Sequence, residues 1–353
     1  MTGEMTPPPS DEEEWADVDA VGPLSAARAF APAELVACPA CARTNAPTRM
    51  RCLYCGAALP ANVGAQDLRR PALRALEAGE LGFNVVLLPR AETAPELAPA
   101  ALAEAARLLR VEPEQLQRTL AARTHLPLAR TSLYEEAALI ESKLTALGLT
   151  VEIMADEVLA VETRPPQRVR RLAFGDEALT AWPSAESAAL CVAWSEIALL
   201  VVGRINRRQI EVEERRRRRA DGEVVETREF YADEGVLDLY MNQPLVNWRI
   251  KAEGFDYTCL GAHKSLLAAE NFARLYAALR TRAVNAVCDE LYASLRPLLQ
   301  TAWPATEQTS SGLRRERPGR MNTEAITNVS NEMQFTRYGR LRQHFRLRPR
   351  TDT

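Results

Sequence analysis

Lysine is nearly missing from this 353-residue chain; Lys143, Lys251 and Lys264 are the only ones, so positive charge rests on arginine. Histidine is as scarce, confined to His125, His263 and His344, and none is spaced against a carboxylate or cysteine as a ligand pair would be. That scarcity removes the common histidine-based metal and nucleophile chemistries. The signatures of a nucleophile elbow, a phosphate-binding loop, a dinucleotide fold and a zinc protease are all missing as well. The sequence therefore predicts a protein that is not an enzyme. Long apolar runs are also lacking. The longest, 188–202, is interrupted by Ser195 and Glu196 and is too short to cross a bilayer. No charged-then-apolar leader opens the sequence, so the expected location is cytoplasmic.

What is present points to a modular globular protein. Hydrophobic residues make up 47% of the chain and the formal net charge is −3, which sets no general preference for nucleic acid or membrane. Charge is nevertheless segregated. Asp11, Glu12, Glu13, Glu14, Asp17 and Asp19 make the first thirty residues acidic, and the residues after Pro304 are rich in arginine. Residues 1–34, with Pro7, Pro8 and Pro9 beside the acidic run, are expected to be disordered.

Four of the seven cysteines carry the sharpest signal. Cys38-x-x-Cys41 and Cys52-x-x-Cys55 are separated by ten residues, so each pair can approach one ion from a tight turn. A redox pair is the other chemistry of this motif, but two matched pairs favour a tetrahedral zinc site. So short a segment needs such a staple, and structural zinc supplies roughly 10–16 kcal/mol in comparable peptides. Four sulfurs leave no open position, so the zinc would be structural. Cys191, Cys259 and Cys288 lie among apolar residues and read as small hydrophobes.

The segment 36–60, with Pro39, Asn45, Gly56 and Leu59 around the cysteines, resembles the zinc-ribbon domains of bacterial multidomain proteins. The same cysteine and asparagine spacing occurs in Ran-binding-protein-type zinc fingers, some of which bind RNA or ubiquitin. Those carry tryptophan where this chain has Val36. After a linker at 61–80, residues 83–161 predict a strand, two helices, a strand, a helix and a strand. Pro113 is suited to a helix's first turn, Ser132 and Glu135 to a capping box, and Gly148 to a helix end. This order and its Phe83-x-Val-Val-Leu opening resemble the C-terminal domain of the ribosomal stalk protein. That family's lysine- and glycine-rich factor-binding surface has no counterpart in 97–110.

From 168 the pattern turns to strands: 169–174, 178–182, 189–194, 197–205, 209–213, 224–230, 236–241 and 246–251. An amphipathic helix follows at 265–282. Strands closed by one helix, over 168–283, resemble the pleckstrin-homology-like superfold. A further helix is expected at 284–300, and 304–353 as a basic, mostly disordered tail with a short helix at 331–345. The fold class is thus multidomain α+β.

Arg215, Arg216, Arg217, Arg218 and Arg219 form a candidate anion-binding run, flanked by Glu211, Glu213, Glu214, Asp221, Glu223 and Glu226 that nearly cancel it. The tail's ten arginines are interleaved with Phe335, Tyr338 and Phe345, a composition able to stack on bases. The function expected is binding or scaffolding of protein partners. The alternatives are a nucleic-acid or ribosome-associated factor acting through the ribbon and tail, and an adaptor to anionic membranes through the Arg215 to Arg219 loop.

Overall fold

The computed structural model describes residues 30–60, 68–77, 79–90, 96–161, 163–184, 186–216, 223–243, 247–317 and 320–348. The chain divides into two compact units, one running to Arg69 and the other from Arg70 onward. Residues 1–29, most of the acidic segment, lie outside the described residues. Among the described residues no helix is long and apolar enough to cross a membrane.

The first unit contains two short antiparallel strands, β1 (Val36–Ala37) and β2 (Thr44–Asn45), and a bridge between Arg51 and Ala58. Among the described residues its buried apolar core is Val36, Cys38, Cys52 and Leu59. Arg69 is buried against it, donating from Nε to Pro47 O (3.2 Å) and from a terminal nitrogen to Pro60 O (3.0 Å).

The second unit opens with β3 (Phe83–Leu87), α1 (Pro99–Leu109), α2 (Pro113–Ala121), β4 (Leu126–Thr131), α3 (Tyr134–Ala146) and β5 (Val151–Ala155). A four-residue turn of helix, α4 (Asp156–Leu159), follows. The sheet runs β4-β3-β5, antiparallel throughout. Proline opens α1 and α2, where its missing N–H costs nothing. The capping box expected from Ser132 and Glu135 is not formed. Leu133 holds the N-cap, which moves Glu136, not Glu135, to the third helical position, and Glu136 accepts instead from the Leu73 amide at 2.7 Å. Gly148, at φ 87°, follows α3 in the left-handed conformation.

The strands that follow are β6 (Gln167–Val169), β7 (Arg171–Phe174), β8 (Ala178–Trp182), β9 (Leu190–Ala193), β10 (Ile197–Arg216), β11 (Glu223–Met241) and β12 (Trp248–Lys251). Then come α5 (Ala268–Arg282), β13 (Val287–Asp289), α6 (Tyr292–Leu299), β14 (Thr306–Arg317), β15 (Arg320–Ser330) and α7 (Glu332–Leu347). A seven-stranded sheet follows the path β14-β15-β10-β11-β12-β6, with β13 parallel to β10, while β7-β8-β9 form their own sheet. Four of the expected strands merge into two. Asn206 to Arg208 pair with Asp233 to Tyr231, so neither β10 nor β11 turns at the predicted joint.

Three expectations about the second unit are corrected. The sheet does not end near residue 283, because β13, β14 and β15 join it from later in the chain. The helix expected from 284 begins only at Tyr292, since Val287 to Asp289 are drawn into the ladder beside Leu199 to Val201. Residues 306–317 and 320–348 are not a mostly disordered tail: the helix expected at 331–345 is present as Glu332–Leu347, strands β14 and β15 precede it, and its Phe335, Tyr338 and Leu341 are fully buried. Their low apolar content misleads because several arginines are neutralised inside the fold. Arg342, for example, reaches Asp289 Oδ2 at 2.6 Å.

That helix also ties the small sheet to the large one. Val86, Leu126, Met154 and Leu159 share one core with Tyr240, Tyr292, Trp303, Phe335 and Tyr338. Residues 83–161 are therefore not a body of their own. A second core lies on the opposite face of β10 and β11 and is closed by α5 and the β7-β8-β9 sheet. Further out, the sheet loses both covers. In 206–212, 227–233, 306–312 and 325–330 no described side chain is buried, and Phe230 and Tyr231 are exposed. This outer part of β14-β15-β10-β11 is an arm whose described side chains are exposed or half-buried on both faces.

Candidate metal centre

The four cysteines are brought together by two copies of one backbone turn. Cys38 N donates to Arg43 O (2.9 Å) and Ala42 N to Cys38 O (2.8 Å). Fourteen positions later, Cys52 N donates to Ala57 O (2.8 Å) and Gly56 N to Cys52 O (3.0 Å). The fourth residue after each leading cysteine is left-handed, Ala42 at φ 57° and Gly56 at φ 75°. Each turn points its two thiols to the same side. The first turn joins β1 to β2, and the second is flanked by the bridge between Arg51 and Ala58.

All four Sγ atoms lie within 4.8 Å of one another. Cys38 and Cys55 are 3.5 Å apart, and Cys41 and Cys52 3.7 Å apart. A tetrahedral ion with Zn–S bonds of about 2.3 Å requires sulfurs ~3.8 Å apart, so the spacing fits zinc. The surrounding donors fit it too. The Tyr54 amide and Asn45 Nδ2 both reach Cys52 Sγ at 3.4 Å, stabilising sulfur as an anion. Asn45 is itself held by the Leu53 amide (2.9 Å) and by Arg43 O (3.0 Å), bracing one turn against the other.

These contacts push the thiols apart in acidity. Burial opposes the Cys52 thiolate, but the Tyr54 and Cys55 amides, Asn45 and Cys41 bring its pKa down to about 6. At Cys55 the Ala57 amide favours the anion, yet the Cys41 and Cys38 thiols beside it carry the pKa up to about 12. Four sulfurs this close cannot all ionise on their own. A divalent cation supplies the charge that lets them do so together. Cys38, Cys41, Cys52 and Cys55 would hold it. With four sulfurs bound it would crosslink the unit and offer no position to a substrate.

The remaining sequence candidates fare differently. Arg215 and Arg216 end β10, and Arg217, Arg218 and Arg219 lie outside the described residues. Through the pairings Glu214↔Thr323 and Leu313↔Thr323, the backbone register sets Arg215 and Arg216 level with Arg314 and Arg315 of β14. Two arginine runs a hundred residues apart in sequence thus share one level of the arm, with β15 between their strands. His125 stacks on Phe345 with ring centroids 3.7 Å apart, and burial lowers its pKa to about 4. Trp194 and Trp248 pack in one core and Trp303 in the other. Asn45 is marked in the sequence by its spacing four residues after Cys41, but its bracing role is visible only in the structure.

No family model, curated protein or solved structure matches this chain.

Proposed function

We propose that the protein is a non-catalytic binding protein, built to hold macromolecular partners, with a zinc ribbon as one of its modules. The closed four-sulfur cluster carries this reading. It gives zinc a structural task and leaves the module's outer surface free for recognition. The sheet arm supports it as well, since Phe230 and Tyr231 are large rings at 52% and 71% exposure.

The test has two arms. Purified full-length protein should contain about one zinc per chain, and Cys52→Ser should lose it. Affinity capture in high salt, after nuclease treatment, should retain protein partners that Phe230→Ser/Tyr231→Ser no longer holds. A chain without stoichiometric metal, or partners indifferent to the double variant, would overturn the reading.

A second reading, a nucleic-acid-binding factor, is favoured by the shared position of Arg215, Arg216, Arg314 and Arg315 along the strands. Binding of a single-stranded oligonucleotide should then fall linearly with log salt concentration. Replacing these four arginines by serine should flatten that slope, and an unchanged slope would remove the reading.

A further inference from the structure

A cavity of about 570 Å³ opens on the second unit where β6 and β12, the inner ends of β10, β14 and β15, and the start of α7 meet. That volume is in the range of small-molecule sites, roughly 300–1,000 Å³. Its charge is lopsided. Among the described residues its lining includes four cations, Arg168, Arg207, Arg249 and Lys251, and one carboxylate, Glu332.

Glu332 is shared three ways. Its Oε2 takes Arg207 at 2.7 Å, and its Oε1 takes both Lys251 at 2.7 Å and Arg249 at 3.1 Å. Asp238, behind the wall, accepts a two-pronged bond from Arg249 at 2.8 and 2.6 Å. Four cationic groups therefore stand against two carboxylates. Lys251 and Arg249 are held inside the fold, with side chains only 9% and 5% exposed, where water cannot screen them well. Arg168, which is exposed, donates to a backbone oxygen, that of Glu253, and among the described residues meets no carboxylate. The first turn of α7 meets the cavity at Glu332 and Met333, adding the positive end of a 16-residue helix. The rest of the wall mixes the apolar Val161, Pro165, Pro166, Val329 and Met333 with uncharged polar side chains of β14, β15 and α7.

We propose that this cavity binds a small organic oxyanion, a phosphate or carboxylate carried on an apolar body, with Arg168 and Arg207 gripping the anion at the rim. Arginine suits the task because its planar fork meets two oxygens at once. Lys251 and Arg249 set the potential from inside, and the proline and valine wall takes the non-polar part. This site is separate from the metal centre, and its existence does not depend on the binding-protein reading.

Calorimetric titration of the full-length protein with phenyl phosphate and with benzoate tests the proposal and separates the two anion classes. One or both should saturate at one per chain and weaken as salt rises. Benzyl alcohol, which lacks the charge, and inorganic phosphate, which lacks the ring, should bind more weakly. Arg168→Gln and Arg207→Gln should each weaken the better probe about tenfold, as loss of a charge-assisted bond predicts. Both lie at the surface, and unchanged melting curves would show that the fold is intact. The ¹³C-methyl signal of Met333 should shift along the same binding curve. Failure of both anionic probes to saturate would overturn the proposal. So would equal binding of the alcohol, unaltered affinity in both variants, or an unmoved Met333 signal.

Discussion

Trp303 donates its indole N–H to Asn84 Oδ1 at 2.7 Å, joining fully buried residues that lie 219 positions apart. Asn84 in turn donates to Met154 O (3.1 Å) and to Asp156 Oδ1 (2.9 Å), and Asp156 accepts from Arg130 Nε (2.9 Å) and the Gly82 amide (2.9 Å). One indole therefore completes a polar network at the junction of the two sheets. Trp303→Phe should cost about 2–4 kcal/mol, combining a cavity with an unmet carbonyl oxygen. Urea unfolding measures this. A double-mutant cycle with Asn84→Ala should show coupling, and simple additivity would deny that the pair acts together.

Helix α7 approaches β11 closely at one point. A methyl group placed on Gly339 would lie 2.0 Å from Tyr240 Oη and 2.6 Å from Cζ. Tyr240 cannot swing aside, because it is fully buried and donates to Asp238 Oδ2 at 3.0 Å. Gly339→Ala should destabilise the second unit by about 3 kcal/mol through overpacking. Thermal unfolding within experimental error of the parent would contradict this contact.

The two cysteine turns make opposite predictions at equivalent positions. Ala42 carries a side chain in the left-handed region where Gly56 carries none. Ala42→Gly should stabilise the metal-bound first unit by about 0.5–1 kcal/mol, and Gly56→Ala should weaken it by about 1 kcal/mol. A methyl at Gly56 would touch nothing within 4 Å, so its penalty is purely that of the backbone. Competition for zinc against a chromophoric chelator reads both changes. Effects of the same sign would refute the equivalence.

His125 predicts an acid sensitivity. Burial, and then the nearby Arg342, hold its pKa at about 4, below the usual 6.5. The unfolded chain therefore takes up this proton first as pH falls. Stability from neutral His125 is complete above pH 6.5 and is lost between there and about 4. His125→Phe should flatten the dependence in that window while keeping the stack on Phe345. An identical pH profile in the variant would assign the sensitivity elsewhere, with His344, whose pKa burial also lowers, the next residue to replace.

Legibility in the sequence followed the range of the interactions. The cysteine pairs were readable because a metal fixes ligand type and spacing locally, and Pro113 and Gly148 because turns and helix ends are local too. The Ser132 cap failed when a distant amide, that of Leu73, shifted the competition toward Glu136. The helix after Ser330 was legible, but its burial was hidden by its arginines, which read as solvated until Asp289 is placed beside Arg342. Arg168, Arg207, Arg249, Lys251 and Glu332 gave no signal together, since only the crossing of β6, β10, β12 and α7 gathers them.

The lateness of α7 and β15 in the chain has a consequence for synthesis. Strand β10 emerges from the ribosome more than a hundred residues before the hairpin that covers its edge, and Asn331 returns to Arg204 O across 127 positions. Until then the nascent protein carries a bare ladder edge and an unfilled core, the combination that invites self-association. A message truncated just upstream of Thr306 should yield aggregated or degraded product, and occupancy by chaperones during translation should peak while β10 waits.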